Sequence, residues 1–344
     1  MTNYAEFAWK QAETLLSIDS PSGFTAKAAQ WVKESFEALG FPAYITTKGG
    51  VIADLGGADS ENGILLAAHT DTLGAMVAAI KGSGRLKLTG LGGMNPNNAE
   101  TENVRVYTRS GAVIEGTCQL SNASVHVNGD YSSAKRSWDT VEIVLDEPVT
   151  CAADTRKLGI EVGDIVCFDP RTKRTASGYL KSRFLDDKLS VGILMGLAKY
   201  LAEEKVLLPR RTWVHVTVYE EVGHGGSGSL PTGVTEAISV DMGCVGDGLQ
   251  CTERQVSICA KDSGGPYSYE VTGKLIDAAK KTGADYAVDV YPFYGSDVEA
   301  TLRAGFDIRH GLIGPGVYAS HGYERSHMDG VENTLKVLKG YLLG

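Results

Sequence analysis

Five places in the chain set carboxylates or imidazoles where a strand ends or a helix begins. They are His69 and Asp71 in AAHTDTLG, Asp186 and Asp187 in RFLDDKLS, Glu220 and Glu221 in VYEEVG, Asp241 in SVDMG, and His321 in ASHGYERSH. Singly, each has a plain structural explanation. An Asp before a helix caps it, an adjacent Glu pair sits in solvent, and a lone His is hydrogen-bonded at the surface or in the core. As a set they ask for more. Carboxylates are costly at the ends of buried strands unless something compensates their charge, and a pair of divalent cations would do so. Mixed imidazole and carboxylate donors suit Zn²⁺, Co²⁺ or Mn²⁺ without any cysteine. Two such ions ~3.5–4 Å apart can share a bridging carboxylate and a bridging water. The H-x-D spacing has its own mechanical reason. His69 and Asp71 lie two apart on an extended segment, so their side chains share a face. His69 can then bind metal while Asp71 accepts its other ring proton.

The elements that must position these groups follow from the apolar pattern. Residues 4–18 carry helical spacing, SPSGF breaks the run at Pro21 and Gly23, and a second helix is expected from Thr25 to Leu39, closed by Gly40. AYITT, GVIADLG and GILLAAHTD read as strands. The last is a continuous apolar run ending in polar residues, as in a strand covered on both faces whose carboxyl end meets a site. From Leu73 to Ser177 the pattern changes to short alternating runs rich in Val, Ile and Thr, with frequent turn signals and a helix only near Thr155 to Leu158. Helix–strand alternation then resumes. DDKLSVGILMGLAKYLAEEK reads as an amphipathic helix, RTWVHVTVY and TEAISVDMG as strands, SYEVTGKLIDAAKKTG as a helix stopped by Gly283, GFDIRHGLIG as a strand, and DGVENTLKVLKGYLL as a closing helix. The predicted fold is α/β: an α/β/α sandwich built from residues 1–72 and 178–344, interrupted by a small β-barrel-like domain over residues 73–177.

Composition narrows the function classes. The 344 residues carry a net charge of -9, which argues against nucleic acid as a partner, because phosphate binding needs clustered Lys and Arg. No stretch approaches the ~18 consecutive apolar residues of a membrane span, so no membrane partner is expected. The opening segment reads as an amphipathic helix and not as a secretion signal. Six scattered cysteines form no C-x-x-C pair. A cytoplasmic location with reduced thiols is the expectation.

Two other readings compete for the same residues. GHGGSG fits G-x-G-x-x-G at Gly223, Gly225 and Gly228, just after a strand. Against a dinucleotide site, Glu220 and Glu221 would repel a pyrophosphate, and Pro231 and Gly233 follow where a helix should begin. HGG resembles an oxyanion loop, but there is no G-x-S-x-G nucleophile elbow.

The ordered set H-x-D, D-D, E-E-V-G, D and a late His resembles the M42 family of metallo-aminopeptidases over essentially the whole chain, insert included. That family includes glutamyl aminopeptidases and tetrahedral peptidases, and some members carry an older endoglucanase description. The resemblance implies an α/β/α catalytic domain of the zinc-aminopeptidase type and two divalent ions per subunit, zinc foremost, with cobalt or manganese as alternatives. Carried over by position, His69 and Asp241 would hold one ion, Glu221 and His321 the other, and Asp186 would bridge both. Glu220 would be the general base, with a pKa raised by desolvation, and Asp71 would orient His69. The family pattern uses the first acid of LDDK, leaving Asp187 at the helix start or behind the ligands. His321 with Glu324 fits the late His, one residue shorter than usual, and His327 is the alternative.

The activity implied is removal of N-terminal residues from small peptides. HGYERSH further resembles a subgroup associated with the osmoprotectant N-acetylglutaminylglutamine amide, which implies an alternative, an amidohydrolase acting on a blocked dipeptide amide. A non-catalytic binding protein on a peptidase fold is opposed by the complete ligand set. Paired carboxylates also suit a glycosidase, but the histidines would then have no role. Segments near Lys261–Tyr267 and Tyr291–Asp297 are expected to shape the specificity pocket. The resemblance also implies a homo-oligomer, up to a dodecamer.

Overall fold

The computed structural model describes residues 3–344. The chain divides into two compact units, one running to Asp71 and resuming at Arg171, the other spanning Thr72–Pro170. The expected return at residue 178 falls inside the first unit. It lies between the short strands Lys173–Arg174 and Tyr179–Ser182, which pair with each other, the second also pairing with Glu324–His327.

Among the described residues the first unit is built on a 13-stranded sheet. At its centre Arg210–Thr217, Asp59–His69, Val234–Val240 and Arg309–Tyr318 lie side by side and parallel. Val51–Gly56 pairs antiparallel on one side, and Val256–Asp262 on the other, followed by Tyr286–Val290 in parallel. Both faces are covered. Leu65, Ala67, Ala237 and Leu312 form a core with Val298 of the helix Asp297–Arg303. On the opposite face the backbone of Gly311, in register with Ile238, is approached by Val271 and Leu275 of the helix Tyr269–Thr282. Ile64 through Ala68 are therefore all buried, which is why that strand reads as an unbroken apolar run.

The helix Leu185–Glu203 differs from its amphipathic expectation. It is buried on every side from Leu185 to Ala198. Gly192 and Gly196 let the helix Tyr4–Leu16 press against it: a Cβ at Gly192 would collide with the Ala8 carbonyl. A helix covered on every side lies in a core, and its buried polar residues must find partners there. Among the described residues no helix is long and apolar enough to cross a membrane.

The second unit is a closed six-stranded barrel, each strand antiparallel to its neighbours. Alternate residues such as Val104, Val106, Cys118 and Leu120 are buried, which produces the period-2 pattern of this region. Helix is confined there to Pro96–Ala99 and Ala152–Lys157.

Candidate metal centre

Parallel strands align their carboxyl ends, and the sequence places its acids there. His69 ends its strand opposite Thr217. Glu220 and Glu221 follow Thr217 by three and four residues, and Asp241 directly follows Val240. Asp186 and Asp187 sit at the start of the core helix in non-helical conformations, φ/ψ of −73°/103° and −121°/22°. This breaks the helix locally.

Asp186 lies between two imidazoles. Its Oδ1 is 3.1 Å from His69 Nε2, and its Oδ2 is 3.5 Å from His321 Nε2. His321 Nε2 is also 3.6 Å from Glu221 Oε2, and His69 Nε2 is 3.8 Å from Glu220 Oε2. Buried Glu324 fixes one side of this arrangement. One of its oxygens accepts the backbone N–H of Asp186 at 3.0 Å, and the other accepts that of His321 at 2.9 Å. His321 stands at φ 62°, a left-handed conformation uncommon outside glycine.

Asp71 meets His69 mainly through its main chain. His69 Nδ1 lies 2.9 Å from the main-chain carbonyl of Asp71 and 3.6 Å from its carboxylate. The fully buried carboxylate instead accepts the backbone N–H of Glu220 at 3.1 Å and, more weakly, that of Glu221 at 3.4 Å. The two glutamates lie beyond the end of the strand Arg210–Thr217. They open a 3₁₀ turn, Glu220–Val222, preceded by Tyr219 at φ 73° and closed by Gly223 at φ 83°. Tyr219 offers the turn no side-chain cap, so Asp71 supplies one from the segment just past the strand Asp59–His69.

Asp187 is more involved than a helix start. Its Oδ2 accepts the His69 backbone N–H at 3.2 Å, while its buried Oδ1 has no hydrogen-bond partner among the described residues. Donor atoms of His69, Asp187 and Asp241 lie within 4.8 Å of one another, and so do those of His69, Asp186 and Glu221.

The charge balance fits divalent cations. With these side chains alone, burial raises the carboxyls of Glu220, Glu221 and Asp187 well above their ordinary range, Asp186 adding to the rise at Glu221 and Asp241 to that at Asp187. Burial with the nearby Asp186 charge pushes Asp241 up to about 7 and Glu324 to about 8. Burial also works on Asp186, but its hydrogen bonds with His321 and His69 hold it low. Burial would lower His69, yet Asp186 and Asp71 raise it well above its usual value. So many acids beside two imidazoles need positive charge to ionise together. The orphaned Asp187 oxygen and the oxygen–nitrogen donor set match Zn²⁺, Co²⁺ or Mn²⁺.

A cavity of about 440 Å³ opens onto these groups. Asp186, Glu220, Glu221, Asp241 and His321 line it, together with Phe293 to Asp297 from the second expected specificity segment. Lys261–Tyr267 contributes from behind, through the Tyr267 hydroxyl, 2.9 Å from Ser296 Oγ. His327 is elsewhere. It caps the final helix, its Nδ1 accepting the Asp329 N–H at 3.0 Å, while Nε2 lies 2.8 Å from the Ser177 carbonyl.

The glycine loop behind Glu221 packs on the helix Asp297–Arg303. Thr301 Oγ1 donates to the Gly226 carbonyl at 2.9 Å, and Thr217 Oγ1 donates to the Asp297 carboxylate. A Cβ at Gly225 would strike that carboxylate, and one at Gly226 the Asp297 carbonyl. Close approach to another helix, with no need for a phosphate, accounts for both glycines.

The family profile described as M42 glutamyl aminopeptidase matches residues 49–337. YhfE of Bacillus subtilis (strain 168) is 44% identical over 328 residues, covering 95% of each chain. Aminopeptidase APDkam598 from the archaeon Desulfurococcus kamchatkensis superposes with a TM-score of 0.88 at 21% identity, covering 99% of this chain and 96% of that one. PhTET1-12s, seen as a dodecamer in its asymmetric unit, superposes with a TM-score of 0.84 at 20% identity, covering 100% and 99%. On the family match and the full-length similarity to YhfE, this chain belongs to the M42 glutamyl aminopeptidase family of metal-dependent enzymes.

Proposed function

We propose that the chain is a dinuclear metal-dependent aminopeptidase that removes N-terminal residues from small peptides. The observation that carries this reading is Asp186, with its two oxygens turned to two different imidazoles, His69 and His321. His69 and Asp241 would hold one ion, Glu221 and His321 the second, with Asp186 shared and Asp187 beside the first. Two bound divalent ions supply an acidified water and a polarised scissile carbonyl. The rest falls to the chain. Glu220 sits on the cavity wall, where it would take the proton from the attacking water and deliver it to the leaving amine. Asp71 keeps the Glu220–Glu221 turn in place. The cavity sits at the small end of the ~300–1,000 Å³ typical of ligand pockets, which suits the end of a short peptide. The dodecamer of PhTET1 supports a homo-oligomer for this chain as well.

The test is a substrate screen before and after chelation. Aminoacyl amides should be cleaved only with Zn²⁺, Co²⁺ or Mn²⁺ restored, and N-acylated dipeptide amides should resist. Cleavage of the blocked amides alone would replace the aminopeptidase reading with the amidohydrolase one, and hydrolysis of glucans would sink both.

A further inference from the structure

The loop between the first two helices reaches the catalytic turn. Ser22, buried in SPSGF, donates from Oγ to Asp71 Oδ2 at 2.5 Å. The same carboxylate accepts the N–H groups of Glu220 and Glu221. Three donors thus converge on one buried carboxylate, one from each of two neighbouring turn residues and one from a loop some fifty positions away in sequence. An ionised carboxylate has about four acceptor sites, so the three together leave it little freedom to rotate.

We propose that Ser22 is a positioning residue for the Glu220–Glu221 turn, acting through Asp71. The hydroxyl restrains the rotamer of Asp71, and Asp71 in turn caps the two N–H groups that set where both glutamates point. The loop is anchored independently. Ser20 Oγ donates to the Thr70 carbonyl at 2.7 Å, and buried Lys188 donates from Nζ to the carbonyls of Leu15 and Ile18 at 3.1 and 2.7 Å. These separate anchors keep Ser22 in place even when one of them is removed, and loss of its own hydroxyl takes away a charge-assisted hydrogen bond without releasing the loop. This inference rests on the reading of Glu220 as base and Glu221 as ligand.

The test compares Ser22→Ala, Ser22→Thr and Ser20→Ala in the full chain, with Co²⁺ alone as the metal probe. Ser22→Ala should change the visible spectrum of the cobalt-loaded protein and weaken Co²⁺ binding. It should also lower kcat on an aminoacyl p-nitroanilide by about tenfold to a hundredfold with KM unchanged. Ser22→Thr, which keeps the hydroxyl, should restore most of both. Ser20→Ala loses an equally buried bond of the same loop but should shift only the melting temperature. A Ser22→Ala protein with the parent's cobalt spectrum and kcat overturns the proposal, and so does one whose losses match those of Ser20→Ala. If the parent binds cobalt but cleaves no aminoacyl substrate, the aminopeptidase reading fails while the cobalt comparison still decides the role of Ser22.

Discussion

His69 meets Asp71 through the main chain: its Nδ1 is 2.9 Å from the Asp71 carbonyl oxygen and 3.6 Å from the nearer carboxylate oxygen. The carbonyl can only accept, so Nδ1 carries the proton and Nε2 is left to face Asp186. The carboxylate is thereby free for the Glu220–Glu221 turn. Asp71→Asn should keep the His69 orientation, because the carbonyl survives, while one amide oxygen replaces two carboxylate oxygens among three donors. The expected result is metal retained in the His69 site and a fall in kcat of about tenfold to a hundredfold. Metal lost first from the His69 site would show that the carboxylate, and not the carbonyl, orients the ring.

Glu220→Gln removes the base and keeps the shape. The variant should bind metal like the parent and lose kcat by about 10²–10⁴-fold. Parent-like turnover, measured with metal content matched by elemental analysis, would remove Glu220 from the proton transfer.

His321 and His327 are six positions apart and do different work. His321→Ala should lose metal and turnover, since its Nε2 faces Asp186 and Glu221. His327→Ala should keep turnover at ambient temperature and lower stability by about 1 kcal/mol, the cost of an N-cap. Thermal melts and steady-state kinetics on the pair decide it, and the opposite pattern would exchange the two roles.

The buried acids give the metal-free protein a definite pH response. Burial, helped by the charges of neighbouring acids, raises Asp297 to about 6, Asp241 to about 7 and Glu324 to about 8. Unfolded carboxyls titrate near ~4. Between those values the folded chain binds more protons than the unfolded chain, so stability is greatest on the acid side and falls as pH rises. Melting temperatures in chelator should therefore drop from about pH 5 to about pH 8, and added divalent metal should flatten the slope. A chelated protein that grows more stable across that range would contradict the buried-acid picture.

Much of the sandwich and of the site was legible because its signals are local. An apolar run ending in His69-x-Asp71, and acids just after predicted strands, follow from strand burial on both faces and from parallel strands aligning their carboxyl ends. What was not legible depends on contacts far apart in sequence. Nothing near Ser22 marks it as a partner of Asp71. The close approach to Asp297 that requires Gly225 and Gly226 lies about seventy residues downstream. The burial of the Leu185–Glu203 helix on its polar-looking side depends on Lys188 reaching the carbonyls that end the first helix. The Lys173–Ser182 strands alternate like barrel strands, and only their pairing with Glu324–His327 assigns them to the first unit.

The central claim is that Asp186 joins two ions in one working centre. Chelated protein should be titrated with Zn²⁺ by calorimetry while hydrolysis of an aminoacyl substrate is followed, for the parent and for Asp186→Ala. The parent should take up two ions per chain and reach full turnover only with both bound, and Asp186→Ala should bind neither tightly and remain inactive. Full turnover in the chelated parent, or two tightly bound ions in Asp186→Ala, would contradict it.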